Sequence, residues 1–253
     1  MAQVVRHKVV MMLWTAFFSG MVCVQSASAA KKNILIVTGG HDFDREAFFQ
    51  LFKSFGDVTF EERMHPLGDD ALSPSWCKPF DVILFYDMNQ TLSEQQKTAF
   101  VKTLQKGIGV IFMHHALAGY QDWPEYEKIL GGKYYLKAEE KEGRTIPAST
   151  YRHDVDVPVT VVDPSHPVTR GMTPFVIHDE VYGGYTNLST VYVLLKTDHP
   201  ESSPALAWTN TYAQSRIVYL QLGHDRHAYE NPSLRKLVRQ AIERSEERRV
   251  GKE

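Results

Sequence analysis

Residues Asn33 to His41 read NILIVTGGH, an unbroken apolar run that stops at two glycines and a histidine. A strand buried on both faces of a parallel sheet has this signature, because helices cover the sheet on either side and leave no polar face. Asp44 then offers an N-cap, and Ala47, Phe48, Leu51, Phe52 and Phe55 recur at helical spacing. Val58 to Glu62 forms a weaker strand and Asp81 to Tyr86 (DVILFY) a second buried one. Ser93, with Gln96 three residues on, makes a capping box for a helix striped by Phe100, Val101 and Leu104. Ile108 to Met113 (IGVIFM) is the next strand. A helix is expected from Ala116, and another over Trp123 to Leu130, closed by Gly131 and Gly132. Strands alternating with helices predict an α/β fold with a doubly wound, mostly parallel sheet and right-handed crossovers.

The second half changes character. Val157 to Val162, Phe175 to Ile177, Val191 to Lys196, Ala205 to Trp208 and Ile217 to Leu222 read as short strands between turn signals, and Pro232 to Glu243 as a closing helix. These predict a β-rich region added to the same domain.

Both ends of the 253-residue chain stand apart from this domain. Arg6, His7 and Lys8, the apolar run Val9 to Val24 and the small residues Ala27-Ser28-Ala29 read as a cleaved signal peptide over residues 1–29. The run is shorter than the roughly 20 residues of a membrane span, so no span is expected after cleavage and the protein is expected in the periplasm or secreted. Residues 30–243 then form the domain. Residues 244–253 (RSEERRVGKE) carry charge almost throughout and read as a disordered or artefactual tail. Beyond the leader the sole cysteine is Cys77, lying ahead of a strand, so it is expected to pack. A net charge of −2 with scattered basic residues argues against a nucleic-acid partner.

Histidines carry the chemistry. His41 follows the first strand, His114 and His115 follow the strand ending at Met113, and His224 and His227 follow the last. In an open α/β sheet ligands sit beyond the carboxyl ends of the strands, so separate strands deliver imidazoles to one edge. The segment Ile177-His178-Asp179-Glu180-Val181-Tyr182 adds a second group, and extended backbone would put His178, Glu180 and Tyr182 on one face. Catalytic roles are therefore expected for His114, Glu180, His41, His178 and His224, with His114 and Glu180 transferring protons. Substrate contacts are expected from His115, Asp42, Tyr182, Trp123 and His227. A divalent metal such as zinc is one option, held by a subset of His41, His114, His178, Glu180 and His224, although no HExxH or CxxC spacing selects it. His65, His153, His166 and His199 read as structural. There is no GxSxG elbow and no phosphate loop.

Taken together, Ile34 to His41 (ILIVTGGH), Gly109 to Ala116 (GVIFMHHA) with the later WPEYEKILGG, His166 to Gly171 (HPVTRG), Asp179-Glu180-x-Tyr182 and Gly223-His224 resemble the ThuA-like, trehalose-utilisation family. That family lies within the flavodoxin-like, class I glutamine amidotransferase-like superfamily. The resemblance implies that His114 stands where the superfamily's nucleophilic cysteine would be, so glutamine hydrolysis through a thioester is not expected. It also implies a role in disaccharide use, acting on 3-keto glycosides supplied by a partner oxidoreductase. The alternatives are a non-catalytic carbohydrate-binding protein on a degenerate enzyme fold, and a metal-dependent hydrolase of a non-sugar substrate.

Overall fold

The computed structural model describes Met1 and residues 31–141 and 143–246. The expected signal segment and residues 247–253 of the expected tail lie outside the described residues. In chain order the first half comprises β1 (Lys32–Gly39), α1 (Arg45–Lys53), β2 (Val58–Met64), α2 (Pro74–Cys77), β3 (Val82–Asp87), α3 (Glu94–Gln105) and β4 (Gly109–Met113). A 3-10 turn (His114–Ala118) and α4 (Pro124–Leu130) follow. Then come the short strands β5 (Gly132–Lys133), β6 (Glu139–Lys141) and β7 (Arg144–Ile146). The second half has β8 (Thr150–Val161), β9 (Phe175–Gly183), β10 (Thr186–Asn187), β11 (Tyr192–Lys196), β12 (Ala205–Tyr212), β13 (Ser215–Leu220), α5 (Arg226–Glu230) and α6 (Pro232–Glu246).

The main sheet has nine strands in the order β2-β1-β3-β4-β13-β12-β11-β8-β9. From β2 to β13 every pairing is parallel, and from β13 to β9 every pairing is antiparallel. Alternation along β1 explains its unbroken apolar run. Ile34 and Ile36 join one core with Phe48, Phe52, Leu237 and Val238 from α1 and α6. Leu35 and Val37 join the other core with Phe100 and Leu104 of α3 and Ile129 of α4. The caps form as expected. Asp44 accepts from the Ala47 amide at 3.0 Å, and Ser93 and Gln96 exchange bonds at 2.8 and 3.2 Å.

Several boundaries differ from the sequence reading. The helix expected from Ala116 is a 3-10 turn that begins at His114. β8 starts at Thr150 and β9 runs on to Gly183, well beyond the stretches marked by apolar alternation. The added residues are mostly polar, some exposed and some, such as His153 and Glu180, lining a cavity, so hydrophobic periodicity could not register them. α6 continues through Glu246, and Ser245 is buried where Gly109 leaves room: a Cβ on Gly109 would lie 2.3 Å from the Ser245 carbonyl oxygen.

A register shift between Arg152 and Val155 bends the β8–β9 hairpin. One end pairs with β11 at Thr160 and Val161. The other end carries Glu180 and Tyr182 back over the carboxyl edge of the parallel strands, where Gln221, just past β13, donates to the Glu180 carbonyl at 2.9 Å.

On the opposite side, Arg239 of α6 grips Asp57, with one guanidinium contact at 2.6 Å to Oδ2 and a second to Oδ1. The Arg239 hydrogen bonds hold the Asp57 carboxyl below its ordinary value. A depressed pKa stabilises the fold above the unfolded carboxylate range and is lost as pH falls through it. Asp57→Asn should therefore lower stability by about 1 kcal/mol at neutral pH. The deficit should shrink below about pH 4. Urea melts at the two pH values check this, and a pH-independent deficit would refute the ion-pair account.

Candidate active site

His114 is the first residue after β4 and has φ of 56°, a left-handed conformation that costs a non-glycine residue energy. Two hydrogen bonds hold it there. Its Nδ1 lies 2.7 Å from the Gln221 carbonyl oxygen, and the Tyr219 hydroxyl donates to the His114 carbonyl at 3.0 Å. A carbonyl only accepts, so Nδ1 carries a proton and Nε2 is turned toward Glu180, Tyr182 and His224.

Four groups meet that nitrogen or its neighbours. Glu180 Oε2 is 2.9 Å from His114 Nε2, the Tyr182 hydroxyl 2.9 Å and His224 Nδ1 3.2 Å. Glu180 Oε2 is also 3.2 Å from His224 Nδ1, while its Oε1 faces His153 Nδ1 at 3.3 Å. Burial favours the neutral Glu180 acid, but hydrogen bonds and charge from His114 and His224 outweigh it and hold the carboxyl far below its usual range. Burial lowers the His224 pKa, yet the Glu180 hydrogen bond and charge leave it raised. For Tyr182 burial and the Glu180 charge both raise the phenol, which stays protonated.

His224 owes its place to Asp179, a fully desolvated carboxylate next to Glu180. Asp179 accepts from the amides of Glu180 at 2.8 Å, Gly223 at 2.8 Å and His224 at 2.9 Å. Gly223 has φ of 119°, a conformation that side-chain-bearing residues rarely adopt, so the turn favours glycine.

His41 and His115 close the other side, their ring centroids 4.8 Å apart. Burial lowers the pKa of both, reinforced by His114. The resulting cavity of about 270 Å³ is lined by His41, His115, Tyr134, His153, Glu180 and Tyr182 among others.

Of the residues singled out in the sequence, His41, His114, His115, Glu180, Tyr182 and His224 come together here. His178 does not. It shares the strand face of Glu180 but lies a full pleat repeat away, roughly 7 Å, exposed and bonded to Asp156 at 3.0 Å. His227 is exposed beside Asp225 at 3.1 Å. Asp42 is exposed in a neighbouring surface hollow with Gly40 and Arg45. Trp123 is half-buried against Phe100 and Tyr126 at the rim of the second core and lines a separate hollow with Tyr120 and Lys133. Correspondingly, His178 stands outside the metal-ligating set. His153, expected to be structural, is a cavity residue. Asp179 and Gln221 were not singled out for their positioning roles; the turn-forming glycine at Gly223 was the signal that something must hold that loop. His65 is buried with Asp87 and Tyr120, 3.1 and 3.0 Å from them. His166 and His199 accept main-chain amides two residues on.

The parallel half-sheet and the sharp turn after its central strand belong to a class I glutamine amidotransferase-like fold. The structure resembles that of a ThuA-like protein from Parabacteroides merdae ATCC 43184, with a TM-score of 0.71 at 17% identity over 88% of this chain and 92% of that one. A ThuA-like protein from Bacteroides uniformis ATCC 8492 gives 0.65 at 21% identity, over 85% and 91%. PurLQS from Thermotoga maritima gives 0.54 at 12% identity, over 85% and 99%. At these identities the likeness establishes the fold. The chain belongs to the ThuA family, described as trehalose utilisation, which matches residues 20–243. At the level of that family its role is related to trehalose utilisation. No curated protein matches it significantly.

If Asp179 is what fixes the Gly223–His224 loop, Asp179→Asn should cost roughly 1–3 kcal/mol, since an amide cannot accept all three main-chain N–H groups. A denaturation midpoint equal to that of the parent would remove Asp179 from this role.

Proposed function

We propose that the protein is an enzyme of disaccharide use that acts on 3-keto glycosides in the periplasm or outside the cell. The observation that supports it is the convergence of His114, on its strained turn, with Glu180 and His224 within 3.2 Å of one another, beside a cavity that Glu180 lines. Purely structural histidines do not need a left-handed backbone to reach one another. Family membership supplies the carbohydrate class.

A ketone makes the neighbouring ring C–H acidic. His41, whose ring opens on the cavity facing the cluster, is placed to take that proton. The enolate oxygen then develops against the His114–Glu180–His224 end, where the protonated Tyr182 hydroxyl stands ready to donate. Glu180, pinned between imidazoles, organises this end of the site in preference to acting as the base. Elimination, hydrolysis or isomerisation can each follow from the enolate. An oxidoreductase of the same pathway would supply the ketone. His114 offers no thiol, so a glutamine-derived thioester does not form on it. The reading at residues 1–29 supports export.

The test is to incubate the chain from Lys31 onward with 3-keto disaccharides and with their unoxidised parents. Turnover should be confined to the keto forms, and His114→Ala should reduce it by about 100-fold or more with melting behaviour retained. Failure to turn over any keto form would overturn the reading in favour of a carbohydrate-binding protein.

A further inference from the structure

The contacts around His114 Nε2 exceed what hydrogen bonding can use. An imidazole nitrogen has either one lone pair or one proton in the ring plane, so it makes one good hydrogen bond. Here three polar atoms lie within 3.2 Å of it: a carboxylate oxygen, a second imidazole nitrogen and a phenol. His114 Nδ1 is committed as a donor to the Gln221 carbonyl, which leaves Nε2 as the ring atom turned to these three groups. This is the outer-shell arrangement by which metal-binding histidines are held in one tautomer and one orientation.

The distances agree. His114 Nε2, Glu180 Oε2 and His224 Nδ1 form a triangle with edges of 2.9, 3.2 and 3.2 Å. Four ligands placed tetrahedrally at about 2.05 Å from a zinc ion stand about 3.3 Å apart. The triangle is therefore nearly the face of a zinc-sized tetrahedron before any ion enters. Two imidazoles and one carboxylate are also the donor set of catalytic zinc, with the fourth position left open. Among the described residues no other group of His, Cys, Asp and Glu side chains brings three such atoms together.

We propose that His114, Glu180 and His224 bind one divalent cation of the zinc class, with its open position facing the cavity lined by His41, His153 and Tyr182. A substrate oxygen or a water would occupy that position, where the cation withdraws electron density from it. Asp179 holds the His224 loop by three main-chain bonds, and His153 reaches the second Glu180 oxygen, so both act as positioning residues. His178, included in the wider set that the sequence allowed, ligates nothing here.

The proposal takes the cavity as the working site, as above, but does not depend on the keto-sugar chemistry, because its readout needs no substrate. The full chain, stripped with a chelator, is titrated with Zn²⁺ by calorimetry and with Co²⁺ by visible absorption. One equivalent should bind, Co²⁺ should show the intense visible bands of a four-coordinate site, and saturating Zn²⁺ should raise the melting temperature. Glu180→Gln, close in size and shape, and His224→Ala should weaken binding on the order of 100-fold or more and abolish the melting shift. His178→Ala should bind as the parent does. Melts of the metal-free variants show that they are folded. Substoichiometric binding by the parent, or equal affinity in Glu180→Gln and His224→Ala, would overturn the site. A protein that binds zinc at this triangle yet ignores every keto sugar would keep the metal site and lose the reaction.

Discussion

The carboxylate of Asp179 ties the antiparallel β8–β9 hairpin to the loop that leaves β13. It sits on β9, in the antiparallel extension, yet all three of its hydrogen bonds are to main-chain amides, two of them in the loop that leaves β13 in the parallel half. Burial raises the pKa of this carboxyl, and the nearby His114 and the three amides offset only part of that cost. Once the loop is fixed, His224 faces Glu180, Gln221 faces His114, and the hairpin lies over the strand ends. Each of these contacts needs the loop to be correctly placed, so the pocket inherits its geometry from one buried anion.

The pocket also shows how an inherited turn can be put to another purpose. A positive φ directly after a central strand lifts a side chain above the sheet edge, an arrangement useful for presenting any reactive group. Here the group presented is an imidazole. It is held from below by a carbonyl and met from the side by a carboxylate, so it gathers partners where a thiol in the same turn would stand alone.

How much of this could be read in the sequence depends on which face of an element was polar. The strands β1, β3 and β4 were legible because both faces are buried, and so were α1 and α3 because their caps and stripes are local features. His41, His114, His115 and His224 were legible because topology sends strand ends to one edge. Glu180 and Tyr182 followed from alternation, which failed for His178 because a shared face says nothing about distance along the strand. His153 was hidden in Tyr151-Arg152-His153-Asp154, a polar stretch of β8 with no apolar period, and only the register shift beside it turns the chain toward the cavity. Trp123 falls outside the His114 cavity, which its place ahead of α4 did not reveal.

The position of β13 has a further consequence, for biogenesis. This strand, Ser215–Leu220, comes near the end of the described chain yet lies in the interior of the sheet, between β4 and β12. Until it arrives, β4 presents an open edge with fully apolar residues on both faces, the kind of edge that recruits strands from other chains. Its closure joins residues more than a hundred positions apart, a slow step by the rule that distant pairings delay folding. A growing chain of this protein thus stays adhesive until β13 emerges, and holding it unfolded until then would spare it that interval.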